Sequence, residues 1–323
     1  MKKIHLILAG VLICLYLIAC NDGVDNNSST DSTSHRNTVA SNPPDPCEGI
    51  DDIDLCKDAG EIGNLVIETS VAQKMMTNFE TFFKTEGGKN IRAFEPVYWL
   101  DKCTIESIAE YLRTQTDPVT KKRFDGIRIF IACEIKDNAY YGTDPYKRRT
   151  SINIFPTYYD KAASSNKSDH KTSKQKISLV GICSSAYLQD FSVADPQNKA
   201  FKKIYRKEAT PQLKNNLSES IWIDACIIYT LEKLIKLPNA NIDGANVNMA
   251  AYDNAIQPTN PVRGRYTDIQ STVLVVPTHL VGGKHEDYWY IVDCLFKHAK
   301  ANGWAPAPPG GFNHGELCPQ VCE

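Results

Sequence analysis

The first 46 residues hold no material for a soluble core, which confines any folded domain to residues 47–323. Lys2 and Lys3 are followed by an apolar run from Ile4 to Ile18, broken only by His5 and Gly10. That run is short for a membrane-spanning helix and has the flanks of an export signal. Asn21 to Pro46 reads NDGVDNNSSTDSTSHRNTVASNPPDP, with Val24, Val39 and Ala40 as nearly its whole apolar content. A stretch of that composition cannot bury enough surface to offset its ordering entropy, so it is expected to act as a tether.

The junction between the two segments is more specific. Leu17-Ile18-Ala19-Cys20 has the pattern of a bacterial lipobox. Small Ala19 fits the cleavage site, and the Cys20 thiol is the atom that takes a diacylglycerol. The expected organisation is a signal peptide over 1–19, a lipid-anchored linker over 20–46 and a single domain over 47–323. Acyl chains of the palmitate type on Cys20 would then hold the protein at the membrane of the cell envelope, with the outer membrane as the expected location. Asp31-Ser32-Thr33 matches a Bacteroidota O-glycosylation sequon, which makes Ser32 a candidate acceptor.

Charge excludes one large class of partner. Lys and Arg number 36 against 38 Asp and Glu, a net charge of −2. A near-neutral chain lacks the electrostatic footprint of a nucleic-acid binder. The expected partners are the membrane, through the N-terminal lipid, and an envelope protein or glycan.

Within 47–323 the apolar pattern predicts an α+β fold, with a mixed or antiparallel sheet and packed helices. Val71, Met75, Phe79 and Phe82 recur at helical spacing over 70–86. Ala93–Leu100 reads as a strand. Asp101 is placed to cap a helix on which Ile105, Ile108 and Leu112 share a face. Gly126–Cys133 (GIRIFIAC) is a β-branched run with the character of a central strand. Ser151–Pro156, Ile177–Cys183 and Thr272–Pro277 are further strands, and Gly126–Cys133 is expected to share one sheet with Thr272–Pro277. Asn216–Leu237 is expected as one long helix, with Asn216 and Glu219 as a capping box and Pro238 at its end. Lys161–Lys176 reads as a polar loop, Asn239–Arg265 as loop, and Asp287–Ala301 as a helix. Residues 140–265 are expected to form a long central insertion. The tail from Ala305 to Glu323 is expected in irregular surface structure, docked through Trp304, Phe312 and Leu317.

Four segments together resemble an uncharacterised family of Bacteroidota lipoproteins. They are Val97-Tyr98-Trp99-Leu100-Asp101, then Asp125-Gly126-Ile127-Arg128-Ile129-Phe130, then Val273-Leu274-Val275-Val276-Pro277-Thr278, and last Asn313-His314-Gly315-Glu316-Leu317-Cys318-Pro319 with Cys322. The family's marks are a G-[IV]-R-[IV]-[YF] strand and an HGELCPxxC-like tail. The tail here departs from it with Gln320 in place of a second proline. The resemblance implies a lipoprotein of related fold and implies no catalytic residue, metal or cofactor.

The residues that could carry chemistry each admit a plainer role. Eleven cysteines less Cys14 and Cys20 leave an odd set in an oxidising compartment. Cys47 with Cys56 and Cys318 with Cys322 are the expected pairs. Cys103, Cys133, Cys183, Cys226 and Cys294 sit beside apolar elements as small hydrophobes. His279, His285, Cys318 and Cys322 are zinc-type ligands, but their spacing fits no zinc signature. Gly181-Ile182-Cys183-Ser184-Ser185 faintly resembles a nucleophile elbow, and His279 or His314 could serve as base. Arg128, mid-strand, is expected to snorkel or pair with a carboxylate such as Glu134. The basic segments 161–176 and 199–207 read as solvated surfaces, with anionic glycans or lipid headgroups as the functional alternative. The leading expectation is a non-catalytic binding or assembly component, and the alternative is a cysteine-dependent hydrolase built on Cys183.

Overall fold

A computed structural model describes residues 45–53, 66–84, 95–133, 150–161, 169–179, 183–208, 216–253, 270–302 and 317–318. Cys20, Ser32, Cys56, Glu134, Trp304, Phe312, His314 and Cys322 lie outside the described residues, as do the expected signal and all of the expected linker but its last two residues, Asp45 and Pro46.

The described elements from residue 45 onward belong to one compact unit of the α+β class. The first part of that unit is a 3-10 turn, Ile50–Asp52, followed by α1, Thr69–Phe79, which runs on as a π turn over Glu80–Lys84. Strand β1 is Val97–Asp101 and helix α2 is Lys102–Thr114. Three strands follow, β2 at Phe124–Cys133, β3 at Thr150–Tyr159 and β4 at His170–Thr172, then helix α3 at Phe191–Glu208. Strand β5, Ser220–Asp224, leads directly into α4, Ala225–Ile235. Strands β6 at Ile242–Tyr252, β7 at Gln270–Val281 and β8 at Lys284–Asp287 come next. Helix α5, Trp289–Ala301, and the two-residue strand β9, Leu317–Cys318, complete the order.

The strands form two sheets, ordered β1-β6-β7-β8 and β4-β3-β2-β5-β9, and every pairing is antiparallel. Both are built from one motif used twice. The first copy is β1-α2-β2-β3-β4 and the second is β5-α4-β6-β7-β8. Each copy lends its first strand to the other copy's sheet. Strand β5 pairs with β2, setting Trp222 opposite Arg128 and Asp224 opposite Gly126. Strand β1 pairs with β6, setting Trp99 opposite Asn246 and Asp101 opposite Gly244. The two halves therefore cannot separate without breaking both sheets.

The helices fill the space this exchange creates. Helices α2 and α4 pack on each other, and each contacts both β2 and β6, which places them between the sheets. Helix α3 covers the far face of β2 and β3, where Phe130, Phe155 and Ala194 form a small core of their own with Phe191 against it. Helices α1 and α5 contact β6 and β7 respectively and each other. On α2 the buried side chains Ile105, Ile108 and Leu112 recur at the spacing that points one stripe inward. Burying each contributes about 1.5–3 kcal/mol. Asp101 caps that helix by accepting from the Thr104 N–H at 2.5 Å, and Asp224 caps α4 by accepting from the Cys226 N–H at 2.7 Å.

Several expectations require correction. Gly126–Cys133 and Thr272–Pro277 lie in separate sheets. They look alike as sequence because each is a central strand of its own copy, and a β-branched run does not say which sheet it joins. Asn216–Leu237 is not one helix: Ser220–Asp224 is strand, and the cap is Asp224, not Asn216. Asn239–Arg265 contains β6, read as loop because Asn, Gly and Ala are poor strand formers. Its pairing on both edges overrides that propensity. Ile177–Cys183 is not a strand over its described residues, and the loop 161–176 contains β4. The described residues within 140–265 supply β3, β4, β5 and β6. The tail adds β9 to the edge of β5, so 317–318 are in regular structure.

Candidate functional site

The duplication places the same four side chains at the same four points in each sheet. In the β4-β3-β2-β5 sheet, the Trp222 indole N–H donates to Thr157 Oγ1 at 2.9 Å. The Thr157 hydroxyl donates to Asp125 Oδ1 at 2.6 Å, and Asp125 Oδ2 lies 2.9 Å from His170 Nδ1. The His170 ring then stacks on Trp222, closing the circuit. In the other sheet the Trp99 indole N–H donates to Thr278 Oγ1 at 3.2 Å, and Thr278 donates to Asp243 Oδ1 at 2.6 Å. Asp243 Oδ2 lies 2.8 Å from His285 Nδ1, and His285 stacks on Trp99. A carboxylate only accepts, so each histidine donates from Nδ1.

Local backbone features aim these groups. Asp125 and Asp243 each sit where the strand register slips by one residue, between Phe124 and Gly126 and between Ile242 and Gly244. A bulge of this kind leaves an extra residue out of the ladder and redirects its side chain. The glycine after each bulge is required by close approach. A Cβ on Gly126 would run into the Ile223 carbonyl oxygen and lie 2.7 Å from Trp222 Nε1. A Cβ on Gly244 would run into the Leu100 carbonyl oxygen and lie 2.7 Å from Trp99 Nε1.

The arrangement is a clasp across four strands, and it lacks the geometry of a catalytic triad. Nucleophilic catalysis needs the hydroxyl on the histidine nitrogen and the carboxylate on the other nitrogen. Here the threonine hydroxyl is bonded to the carboxylate and takes the indole N–H, so its proton is already committed away from the imidazole.

The two halves differ beside the clasp. Arg128 is buried, and its guanidinium donates to the His170 carbonyl at 2.7 Å and to Ser220 Oγ at 3.5 Å. Its counterpart in the second half is Asn246, which reaches the equivalent His285 carbonyl only at 3.5 Å. Thr172 and Asp287 are also counterparts, paired in register with Thr157 and Thr278. Asp287 accepts from Asn246 Nδ2 at 2.8 Å and from Asn248 Nδ2 at 3.3 Å. Burial pushes the Asp287 carboxyl above its ordinary range, and the two amide donors offset this only in part.

The expected site residues are dispersed. Cys183 is disulfide-bonded to Cys103, with Cα atoms 5.9 Å apart, so the hydrolase reading loses its nucleophile. Cys47 is bonded to Cys294, with Cα atoms 6.0 Å apart, and not to Cys56. Chain neighbours were the wrong guide, because the turn at 50–52 packs on α5. Cys226 is also disulfide-bonded. Of the five cysteines read as small hydrophobes, Cys133 alone is outside a disulfide, and it is buried. Cys318 is placed by its backbone in β9. His279 stacks on Tyr288 at 4.0 Å while His285 stacks on Trp99, and among the described residues no three His, Cys, Asp or Glu side chains converge as metal ligands. Arg128 is buried and bonded to a backbone carbonyl, so of the two expected roles it does not snorkel to solvent, and the other, pairing with Glu134, lies outside the described residues. The basic segments are partly neutralised, by Lys176 with Asp190, Lys199 with Asp195 and Lys202 with Glu219.

The clasp residues were missed as a set, although a signal was present. Trp-x-Asp-x-Cys occurs at Trp99-Asp101-Cys103 and again at Trp222-Asp224-Cys226. Asp-Gly follows at 125–126 and 243–244, and Pro-Thr at 156–157 and 277–278. Comparison with family models, curated proteins and solved structures returns no match.

Proposed function

We propose that this chain is a lipid-anchored protein of the cell envelope that acts by binding or assembly, without catalysis of its own. The observation that carries the reading is the pair of disulfides, Cys47–Cys294 and Cys103–Cys183, within the folded domain. Such bonds persist in exported compartments and are rare where thiols are kept reduced. That environment agrees with an export signal ending at Ala19, just before Cys20, and with a polar linker between the anchor and the first described residue. At least two acyl chains are needed for stable anchoring, each buried CH₂ contributing about 0.8 kcal/mol. A diacylglycerol on Cys20 meets that need with no apolar patch on the domain. The outer membrane is the proposed location, with an envelope protein or glycan as partner.

The test is chemical. Mass spectrometry of the N-terminal peptide should find Cys20 as the first residue, carrying acyl chains, and the protein should fractionate with membranes. Cys20→Ala should abolish acylation and leave precursor or soluble protein. A wild-type chain with an unmodified N-terminal peptide, and a variant that fractionates identically, would refute the anchor.

A further inference from the structure

We propose that the second half binds a small hard cation, with calcium the best fit, at the place that the Arg128 guanidinium fills in the first half. The argument is a comparison of equivalent positions. In the first half a permanent positive charge lies buried beside the clasp and donates to the His170 carbonyl at 2.7 Å. In the second half Asn246 replaces that arginine and its amide is 3.5 Å from the His285 carbonyl. The same replacement set puts a carboxylate, Asp287, where the first half has Thr172. Relative to the first half, the site has lost one positive charge and gained one negative charge. No cationic side chain among the described residues pairs with Asp287; its partners are the two asparagine amides. A partly buried carboxylate without a countercharge is costly to hold ionised.

A second observation points to the same place. Asn248 is 1% exposed, and its Oδ1 has no hydrogen-bond partner, while its Nδ2 lies 3.3 Å from both Asp287 oxygens. The oxygen and nitrogen of a carboxamide exchange places by a half-turn of the amide at no steric cost. That turn brings Oδ1 against the carboxylate, an arrangement that needs either a cation between them or a proton on Asp287. With the Asn246 amide, whose Nδ2 donates to Asp287 at 2.8 Å, turned in the same way, the donors are the Asp287 carboxylate, the amide oxygens of Asn246 and Asn248, and the His285 carbonyl. All are hard oxygens, the set that suits calcium, with water completing the shell. One carboxylate among neutral donors gives a weak site, with a dissociation constant on the order of 10⁻⁴–10⁻³ M, the range of extracellular modules.

The experiment uses the mature lipoprotein in detergent, stripped with a chelator. Calcium is titrated by calorimetry and by thermal unfolding, with magnesium and sodium as parallel probes. Saturable calcium binding with a rise in unfolding temperature is expected. Asp287→Asn should weaken binding at least tenfold. Asn246→Arg supplies the missing guanidinium, so this variant should fold, unfold at a higher temperature than the stripped wild type, and no longer respond to calcium. The Asn246→Arg response keeps the test decisive should Asp287→Asn fail to fold. A stripped protein that takes up no calcium at millimolar concentration overturns the proposal. So does calcium binding that survives unchanged in Asn246→Arg, or a site that takes only an organic cation such as free arginine.

Discussion

His170 and Trp222 stack with ring centroids 3.6 Å apart and planes 16° from parallel, although two strands separate β4 from β5 in the sheet. His285 and Trp99 repeat this at 3.6 Å and 18° in the other sheet. In each pair the tryptophan comes from the opposite half of the chain, so each stack reports that the strand exchange is complete.

Removing the hydroxyl at the centre of either clasp should be costly. Thr157→Val leaves the buried Trp222 indole N–H without its acceptor and Asp125 Oδ1 without its donor. About 1–3 kcal/mol of stability should be lost in urea unfolding, and Thr278→Val should cost a similar amount. Wild-type stability in both variants would show that the circuits contribute nothing.

The glycines after the bulges should not tolerate a side chain. Gly126→Ala and Gly244→Ala each drive a methyl into a backbone carbonyl, which cannot yield as a flexible side chain does. Each should lower stability by more than about 3 kcal/mol or prevent folding, as overpacking of a rigid contact does. Gly283→Ala, at a turn with open space but φ of 81°, should cost about 1 kcal/mol, the conformational penalty alone. Equal effects at all three positions, measured by circular dichroism and denaturation, would contradict the close-approach argument.

Peptide mapping without reduction should recover Cys47 joined to Cys294 and Cys103 joined to Cys183. Cys133 should alkylate only after unfolding. The bonds close loops with sequence separations of 247 and 80, and replacing both members of either pair by alanine should cost about 2–5 kcal/mol. Recovery of a Cys47–Cys56 peptide would overturn the first pairing.

Acid sensitivity should pass through Asp117. Burial alone would raise its carboxyl, but hydrogen bonds from the Ser173 hydroxyl, the Thr120 N–H and hydroxyl, and the Val119 N–H outweigh it and hold it below the usual value. A carboxyl lowered by folding contributes stability that is fully present above its unfolded value and lost as pH falls through the folded one. Asp117→Asn should therefore be less stable than wild type at neutral pH, with the difference shrinking below about pH 4. A gap that stays constant across the acid range would assign the loss to packing instead.

The sequence by itself determined the elements whose cause is local. The α2 helix follows from Asp101 as cap and from Ile105, Ile108 and Leu112 on one face, all within one segment. The strand at 124–133 follows from a β-branched run, and α1 from Val71, Met75 and Phe79. The α+β class follows from that mixture. What tertiary structure decided is everything set by partners distant in the chain. Ser220–Asp224 is strand because β2 and β9 pair with it, although its own apolar pattern continues smoothly into the helix beyond. Asn- and Ala-rich β6 is a central strand because β1 and β7 flank it. The clasp residues lie in four strands drawn from both halves, and no window of local periodicity contains them. Backbone pairing is non-directional with respect to side-chain type, so the register that brings Trp, Thr, Asp and His together was fixed by the exchange of strands between two copies of one motif.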